Sequence, residues 1–202
     1  MIEMLGVLAI VGVLSVAGIA GYSKAMAKYK TNKLIDQVST VAANVRTTFA
    51  GQGNYKGLTP ETAYQLGIYP EEVSKSCDVD GFDAEEGSDK NCLRNAFGGI
   101  MGVGGDWNEK DVSFFDVAVN GLSKEGCIAL ATADWGSASS VVGILTEKNG
   151  GSLYGDKIGD ATADIYTVSD IKNNPTIVYS NVCGSMVGDG STAGYIISIR
   201  FR

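Results

Sequence analysis

Histidine does not occur among the 202 residues of the chain. Its absence removes the commonest general base of enzymes, the usual zinc ligand and every Ser-His-Asp or Cys-His catalytic arrangement. Glycine-rich segments at 102–105 and 188–190 lack the spacing of a dinucleotide-binding or phosphate-binding loop, so we interpret them as loop glycines. The sequence therefore predicts a protein that is not an enzyme.

Charge is divided unevenly along the chain. Residues 1–50 contain five lysines or arginines and two acidic residues, a net charge of +3, and because the whole chain carries −7 the remainder carries −10. An acidic domain does not suit a nucleic-acid binder, which needs a basic face toward phosphates. The length allows one globular domain and one additional element. We predict a membrane-proximal stalk and an acidic head at 51–202.

The first 21 residues have almost no polar side chains, with Glu3 as the one charge and Ser15 as the one other polar residue. As a helix they would span about 30 Å, the thickness of the hydrocarbon core of a bilayer. The helical pattern continues beyond Gly21, which argues against a cleaved signal peptide. We predict one helix over 1–50, with a transmembrane or filament-core half at 1–21 and an amphipathic half at 22–50. The apolar stripe of the second half comprises Tyr22, Met26, Tyr29, Leu34, Val38, Val41, Val45 and Phe49.

The head has the sequence pattern of an α+β fold. Short helices are predicted after Thr59 and after Ser123, both of which are favourable N-cap residues. Strands are predicted at 112–119, 141–146, 165–168, 176–182 and 194–201, and the last of these alternates apolar and polar residues. These elements predict an antiparallel sheet with helices on one side, against which the second half of the long helix packs.

Four cysteines lie in the head, at Cys77, Cys92, Cys127 and Cys183. An even number in an exported, polar region indicates two disulfides, with free thiols or a four-cysteine metal site as alternatives; the lack of a C-x-x-C pair disfavours the metal. Asp78, Asp80 and Asp83 could supply oxygen ligands to Ca²⁺, or could belong to an exposed acidic loop without the spacing of an EF-hand. No other cofactor is expected.

Glu3 is the most informative residue, because an ionised carboxylate in hydrocarbon is costly without a cationic partner. The segment MIEMLGVLAIVGVLSVAGIAGYSKAM resembles the N-terminus of processed type IV pilins, which is apolar, carries a glutamate near its start and continues into a long helix. Three features of the head resemble the type IVb, PilS-like branch: Asn95-Ala-Phe-Gly-Gly, the segment from Asn120 to Cys127, and the late Cys183 before a final strand.

The resemblance implies a major structural pilin that polymerises with identical subunits into a helical filament. Glu3 would then pair with the N-terminal amine of a neighbouring subunit. Gly12, Gly18 and Gly21 would allow the helix to unwind partly in the filament. The pairing implied is Cys127–Cys183, which closes a C-terminal D-region, and Cys77–Cys92 remains as a second disulfide. The filament-core residues would be Met1, Ile2, Leu5, Val7, Leu8, Ile10, Val11, Val13, Leu14, Val16 and Ile19.

The resemblance also implies a route of assembly. The subunit would wait in the inner membrane, be processed by a prepilin peptidase and join an extracellular pilus through dedicated assembly machinery. Because Glu3 stands two positions nearer the start than in processed pilins, we expect two further residues before Met1. The filament would serve adhesion, aggregation, motility or DNA transfer, and the sequence does not indicate which surface, DNA or phage it contacts. Alternatives are a minor pilin, a type II secretion pseudopilin or a monomeric anchored binding domain.

Overall fold

The longest element of the computed structural model is helix α1, Ile2–Phe49, of 48 residues. The structure describes residues 2–75, 93–105, 113–135, 139–146, 163–174, 176, 183 and 195–202. Residues 6–25 of α1 are all exposed, and the first buried residue of the described part of α1 is Leu34. The helix therefore consists of a protruding part and a part that packs into the head, as the sequence predicts.

The described head contains four short helices and a five-stranded sheet. The helices are α2 (Pro60–Gln65), α3 (Glu71–Ser74), α4 (Lys124–Thr132) and α5 (Val168–Asn173). The strands are β1 (Met101–Gly105), β2 (Phe115–Asn120), β3 (Ser139–Thr146), β4 (Ala163–Thr167) and β5 (Tyr195–Phe201). Their order across the sheet is β1-β2-β5-β3-β4, and every neighbouring pair is antiparallel. The predicted α+β class is confirmed.

The core lies between the second half of α1 and the sheet, since α1 contacts both α4 and β2. Apolar residues at three- and four-residue steps on α1 meet the alternate residues of β2 and β5 that point to the same side. Strand β2 pairs with the central strand β5 in the register Val117↔Ile199 and Phe115↔Phe201. The fully buried side chains of this core include Leu34, Val38, Val41, Val45, Phe115, Val117, Ile197 and Ile199.

The two predicted helix starts have the expected caps. The side-chain oxygen of Thr59 accepts a hydrogen bond from the backbone N–H of Thr62, and Pro60 occupies the first helical position. Ser123 accepts in the same way from the N–H of Gly126. Each cap satisfies one of the donors that the first turn leaves without an intrahelical partner.

The interpretation of 102–105 as loop glycines is wrong, because these residues form strand β1. Met101 and Val103 point into the core, while Gly102 and Gly104 pair with Ala118 and Asp116. The outer edge of β1 is covered, since the N–H groups of residues 101, 103 and 105 donate to Leu93 O, the Tyr69 hydroxyl and Leu58 O. Pairing and edge protection outweigh the low strand propensity of glycine.

The remaining strand predictions differ from the structure mainly at their ends. Strand β2 begins at Phe115, and β4 ends at Thr167, where helix α5 begins at Val168 instead of the strand continuing. The strand predicted at 176–182 lies outside the described residues except for Thr176. Asp170 in the first turn of α5 favours a helix there, since acidic side chains stabilise helix N-termini.

Candidate assembly interface

The protruding part of α1 exposes a continuous apolar surface. Met4 and the large apolar side chains from Val7 to Ile19 are each 53–77% exposed. Those that coincide with the predicted filament-core residues are Val7, Leu8, Ile10, Val11, Val13, Leu14, Val16 and Ile19. The helix is long and apolar enough to cross a membrane, although one such helix near an N-terminus is weak evidence of a span. Because soluble monomers rarely expose so large an apolar surface, this surface requires lipid or another subunit.

Few polar groups interrupt this surface. Ser15 turns its hydroxyl back to donate to the carbonyl oxygen of Val11 at 2.8 Å, so its polarity is satisfied within the helix. At Gly6, Gly12, Gly18 and Gly21 an added Cβ would meet no described atom within 4 Å, so each glycine leaves a shallow notch that admits a second helix. All four lie in continuous helix in the single subunit. The predicted unwinding concerns the filament and stays a prediction.

Glu3 lies in the first turn of α1, followed by Leu5, and Met1 lies outside the described residues. An acidic group is favourable at this end of a helix because the N-terminal N–H groups carry partial positive charge. Residue 3 stands in the first turn of α1, about 45 Å along the helix axis from Leu34. Its pairing with a neighbour's amine stays a prediction.

Residues 22–33, here called the neck, join the apolar segment to the head-packing part of α1. The exposed apolar residues of the neck are Tyr22 and Tyr29, with Met26 half-buried between them. At about 100° per residue these three lie about 130° around the helix axis from the buried stripe of Leu34 to Phe49. The stripe predicted as one face is thus two faces, and the face on the neck is rotated away from the centre of the face that packs on the head.

A polar network fixes α1 where it enters the head. Lys33 forms an ion pair with Glu72 of α3 at 2.9 Å, and Gln37 donates to the other carboxylate oxygen at 3.0 Å. The side-chain oxygen of buried Gln37 accepts from the backbone N–H of Ala96 at 2.9 Å. The hydrogen bond from Lys33 lowers the pKa of Glu72, and the same bond raises the pKa of Lys33. Gln37 therefore joins α1 both to α3 and to the loop of residues 94–100.

Two further polar residues of α1 contact head backbone. Asn44 donates to the carbonyl oxygen of Ile68 at 2.8 Å. Arg46 donates to the carbonyl oxygen of Arg202 at 3.2 Å, and its guanidinium lies 5.2 Å from the centre of the Phe201 ring. A guanidinium over an aromatic face is attracted by the ring quadrupole. These contacts hold the helix at a fixed register and angle on the sheet.

The Asn95-Ala-Phe-Gly-Gly segment interlocks with the turn after β2. Asn95 donates to the carbonyl oxygen of Asn120 at 2.8 Å, and the side-chain oxygen of Asn120 accepts from the N–H of Ile100 at 2.6 Å. A Cβ on Gly99 would lie 2.0 Å from the carbonyl oxygen of Asn120, and Gly121 has φ +68°. Only glycine fits both positions. The segment 95–99 and the turn at 120–121 are thus hydrogen-bonded to each other and lie beside α4.

Cys127 of α4 and Cys183 form the predicted disulfide, with their Cα atoms 5.9 Å apart and a sequence separation of 56. The bond ties α4, which packs on α1, to the C-terminal region. Closing a loop of this length stabilises a domain by about 3–5 kcal/mol on a chain-entropy estimate.

The second predicted disulfide, Cys77–Cys92, and the calcium candidates Asp78, Asp80 and Asp83 lie outside the described residues. Within the ranges that are described, no three His, Cys, Asp or Glu side chains group as metal ligands do. The assignments at these five positions stay predictions.

The sequence analysis missed the polar residues that anchor α1. Gln37 and Asn44 lie along one side of the apolar stripe of α1, where Gln37 is buried and Asn44 is half-buried. A buried polar group needs a partner. That signal could have identified both residues as contacts to head backbone, although not their partners.

The chain is similar to one protein family and to a solved structure. The family model described as bundlin matches residues 24–174, and the chain therefore belongs to the bundlin family of type IV pilins. A similar solved structure is the crystal structure of TcpA, a type IV pilin from Vibrio cholerae El Tor biotype, at 16% identity, covering 86% of this chain and 99% of that chain with a TM-score of 0.46. No curated protein matches the sequence.

Family membership gives the general function. The protein is a structural subunit of a type IV pilus and is not an enzyme. Such pili assemble from identical subunits at the cell surface. The exposed apolar helix is consistent with membrane anchoring before assembly.

Proposed function

We propose that this chain is the major pilin of a type IVb, PilS-like pilus, held in the inner membrane by residues 1–21 and then packed through the same residues into the filament core. The observation that carries the proposal is the protruding part of α1, whose apolar side chains are exposed over about 30 Å beside a well-buried head. Because the described part of this segment is exposed and packs on nothing else within the subunit, it is available for assembly.

The apolar segment is removed from water both in the membrane and in the filament core. The subunit can therefore pass from one to the other at a small cost in free energy. Each large apolar side chain gains about 1.5–3 kcal/mol on leaving water, but lipid supplies most of this gain already. The difference between lipid and filament is therefore small and comes from close packing. The notches at Gly6, Gly12 and Gly18 allow neighbouring helices to approach, and partial unwinding from Gly12 to Gly21 in the filament would let the polymer stretch.

Glu3 sets the axial register in this proposal. In the dry core of a filament an unpaired carboxylate is unfavourable, so subunits align where Glu3 meets a neighbour's N-terminal amine. A prepilin peptidase supplies that amine, and the assembly machinery draws the subunit from the membrane. The finished extracellular filament then serves adhesion, aggregation, motility or DNA transfer.

The test is electron microscopy of sheared surface appendages, with mass spectrometry of the N-terminal residue and of the cysteine linkages. We expect abundant filaments in which this chain is the main component. A trace amount in filaments of another subunit indicates a minor pilin, and its confinement to the cell envelope indicates a pseudopilin or an anchored monomer; any of these results contradicts the proposal.

Substitution of Glu3 tests the register. In Glu3→Ala we expect a head that still forms the Cys127–Cys183 disulfide, because the tip of α1 is remote from it, and a filament yield reduced at least about tenfold, which corresponds to about 1.4 kcal/mol. Ser15→Ala is the matched control on the same segment and should assemble normally. Wild-type filament yield from Glu3→Ala would exclude the proposed salt bridge.

A further inference from the structure

The first two turns of the neck are open on every side of the helix. From Tyr22 to Tyr29 each residue is exposed except the half-buried Met26. The described head packs on α1 only further along, since the first buried residue there is Leu34. The surroundings of these two turns are therefore not part of the described subunit.

The neck contains four lysines and no acidic residue. Lys33 forms its ion pair with Glu72 of the head at 2.9 Å. The other three, Lys24, Lys28 and Lys30, have no ion pair with any residue that the structure describes. Because like charges at close spacing on a helix repel each other, an anionic environment would stabilise this part of α1.

The three lysines are distributed around the helix instead of forming one face. At about 100° per residue, Lys24 and Lys28 lie about 160° and 120° around the axis from Tyr22 in one direction, and Lys30 lies about 80° from it in the other. A protein surface that packs against one side of α1 cannot contact all of these positions. A lipid leaflet can, because it surrounds a helix that crosses it.

Distance along the axis separates the lysines further. At about 1.5 Å per residue, Lys24 lies about 4–5 Å beyond Gly21, the last residue of the apolar segment, and Lys28 lies about 10 Å beyond it. The headgroup layer of one leaflet is about 5–8 Å thick, and helical side chains lean toward the N-terminus, which here is toward the hydrocarbon. Both ammonium groups would therefore reach this layer. Lys33, about 18 Å from Gly21, would not.

We propose that the neck binds anionic phospholipid headgroups in the membrane that holds the subunit before assembly, with Lys24 and Lys28 as the cations. Tyr22 directly follows the apolar segment, at the boundary where tyrosines anchor helices in membranes. The inference rests on the proposed function, since it requires residues 1–21 to lie in a bilayer. The membrane then holds the subunit by charge as well as by apolar burial, and assembly breaks these lipid contacts.

The experiment measures lipid preference in the full chain. The protein is reconstituted in nanodiscs that contain equal amounts of phosphatidylglycerol and phosphatidylcholine, and native mass spectrometry counts the lipids of each kind that stay bound. Lys24→Gln/Lys28→Gln is compared with Lys75→Gln/Lys124→Gln, which makes the same change in net charge at two exposed positions of the head. We expect wild type and the head variant to prefer phosphatidylglycerol at least about fivefold, and the neck variant to bind the two lipids about equally.

Salt and single substitutions give readouts that a merely structural role would not change. Ions screen charges over about 10 Å at 0.1 M and about 3 Å at 1 M, so the wild-type preference should fall at high salt. Lys24→Gln should reduce the preference more than Lys28→Gln, because residue 24 lies nearer the leaflet. Lys33→Gln should leave it unchanged although it breaks the ion pair with Glu72. Lys24→Arg/Lys28→Arg keeps the charge and should keep the preference.

The outcomes separate this inference from the proposed function. A chain that inserts into the bilayer without preferring phosphatidylglycerol, or a neck variant with the preference of the head variant, overturns the inference alone. A neck variant that keeps the preference but forms fewer filaments would mean that its lysines contact other subunits, which also overturns it. Failure of the wild-type chain to insert at all would instead refute the membrane anchor of the proposed function.

Discussion

The two parts of helix α1 contain the same kinds of apolar residue in opposite environments. Leu14 is 66% exposed, whereas Leu34, twenty positions later in the same helix, is fully buried. The first belongs to an interface between molecules and the second to the core of one molecule. An apolar side chain on this helix therefore stabilises either the polymer or the subunit, and the position relative to the neck decides which.

The polar residues divide in the same way. The apolar segment satisfies its one hydroxyl, Ser15, within the helix, which leaves its surface uniform toward any neighbour. The head-packing part uses Gln37, Asn44 and Arg46 to contact specific backbone groups of the head. A uniform surface tolerates transfer between lipid and protein, whereas directional hydrogen bonds fix one arrangement.

The largest expected difference between the two parts comes from matched leucine truncations. Leu34→Ala should lower the free energy of unfolding by about 2–5 kcal/mol, because it removes buried methyl groups and leaves a cavity. Leu14→Ala should change it by no more than about 0.5 kcal/mol, because the side chain has no partner to lose in the single subunit. Chemical denaturation of the full chain in detergent, followed by near-ultraviolet circular dichroism of the head aromatics, measures both.

At equal amounts of folded subunit, Leu14→Ala should form fewer filaments than Leu34→Ala, which is the reverse of their order in stability loss. Leu14→Ala removes part of the interface between subunits and should reduce assembly of a normally stable subunit. If both variants destabilise the head to the same degree, the division of α1 at the neck is wrong.

A smaller effect is expected from the hydrogen bonds of Gln37. Gln37→Ala leaves the backbone N–H of Ala96 without its partner in a part-buried site, which should cost about 1–3 kcal/mol in unfolding free energy. Asn32→Ala, on an exposed position of the same helix, is the control and should have little effect. Faster amide hydrogen exchange at Ala96 in the Gln37 variant would locate the loss, and unchanged exchange there would contradict the assigned contact.

Local signals were sufficient for much of the fold. The N-caps at Thr59 and Ser123 and the alternation of Tyr195 to Phe201 predicted their elements because capping and period-two burial depend on a few neighbouring residues. These features belong to the chain itself, so a single sequence contains them.

Tertiary contacts determined what the sequence did not predict. Strand β1 is stabilised by pairing with β2 and by three hydrogen bonds that its N–H groups donate at the outer edge to Leu93, Tyr69 and Leu58. Its glycine-rich sequence indicates none of these contacts. The division of the apolar stripe at Leu34 likewise depends on where the head ends. Periodicity shows that a helix has an apolar face, but it does not identify the molecule that covers the face.

The smallest expected effect concerns the ion pair at the junction of the two parts. Because the pKa of Glu72 is lowered in the folded subunit, its contribution is complete above the ordinary carboxyl pKa and is lost as the pH falls through the lowered one. The raised pKa of Lys33 acts at the other end, where the contribution disappears as the pH rises through that value. The pair therefore stabilises the junction from about pH 5 to about pH 10.

Glu72→Gln keeps the shape of the side chain and can still accept from Gln37, so it removes the charge alone. Wild type should be slightly more stable than this variant at pH 7, and the difference should vanish as the pH is lowered toward 3, as followed by the denaturation midpoint of the full chain. Glu71→Gln, one residue away and exposed, should show no such convergence. A difference that persists unchanged at pH 3 would mean that Glu72 acts through packing, and the neck would then join the head without an electrostatic contact.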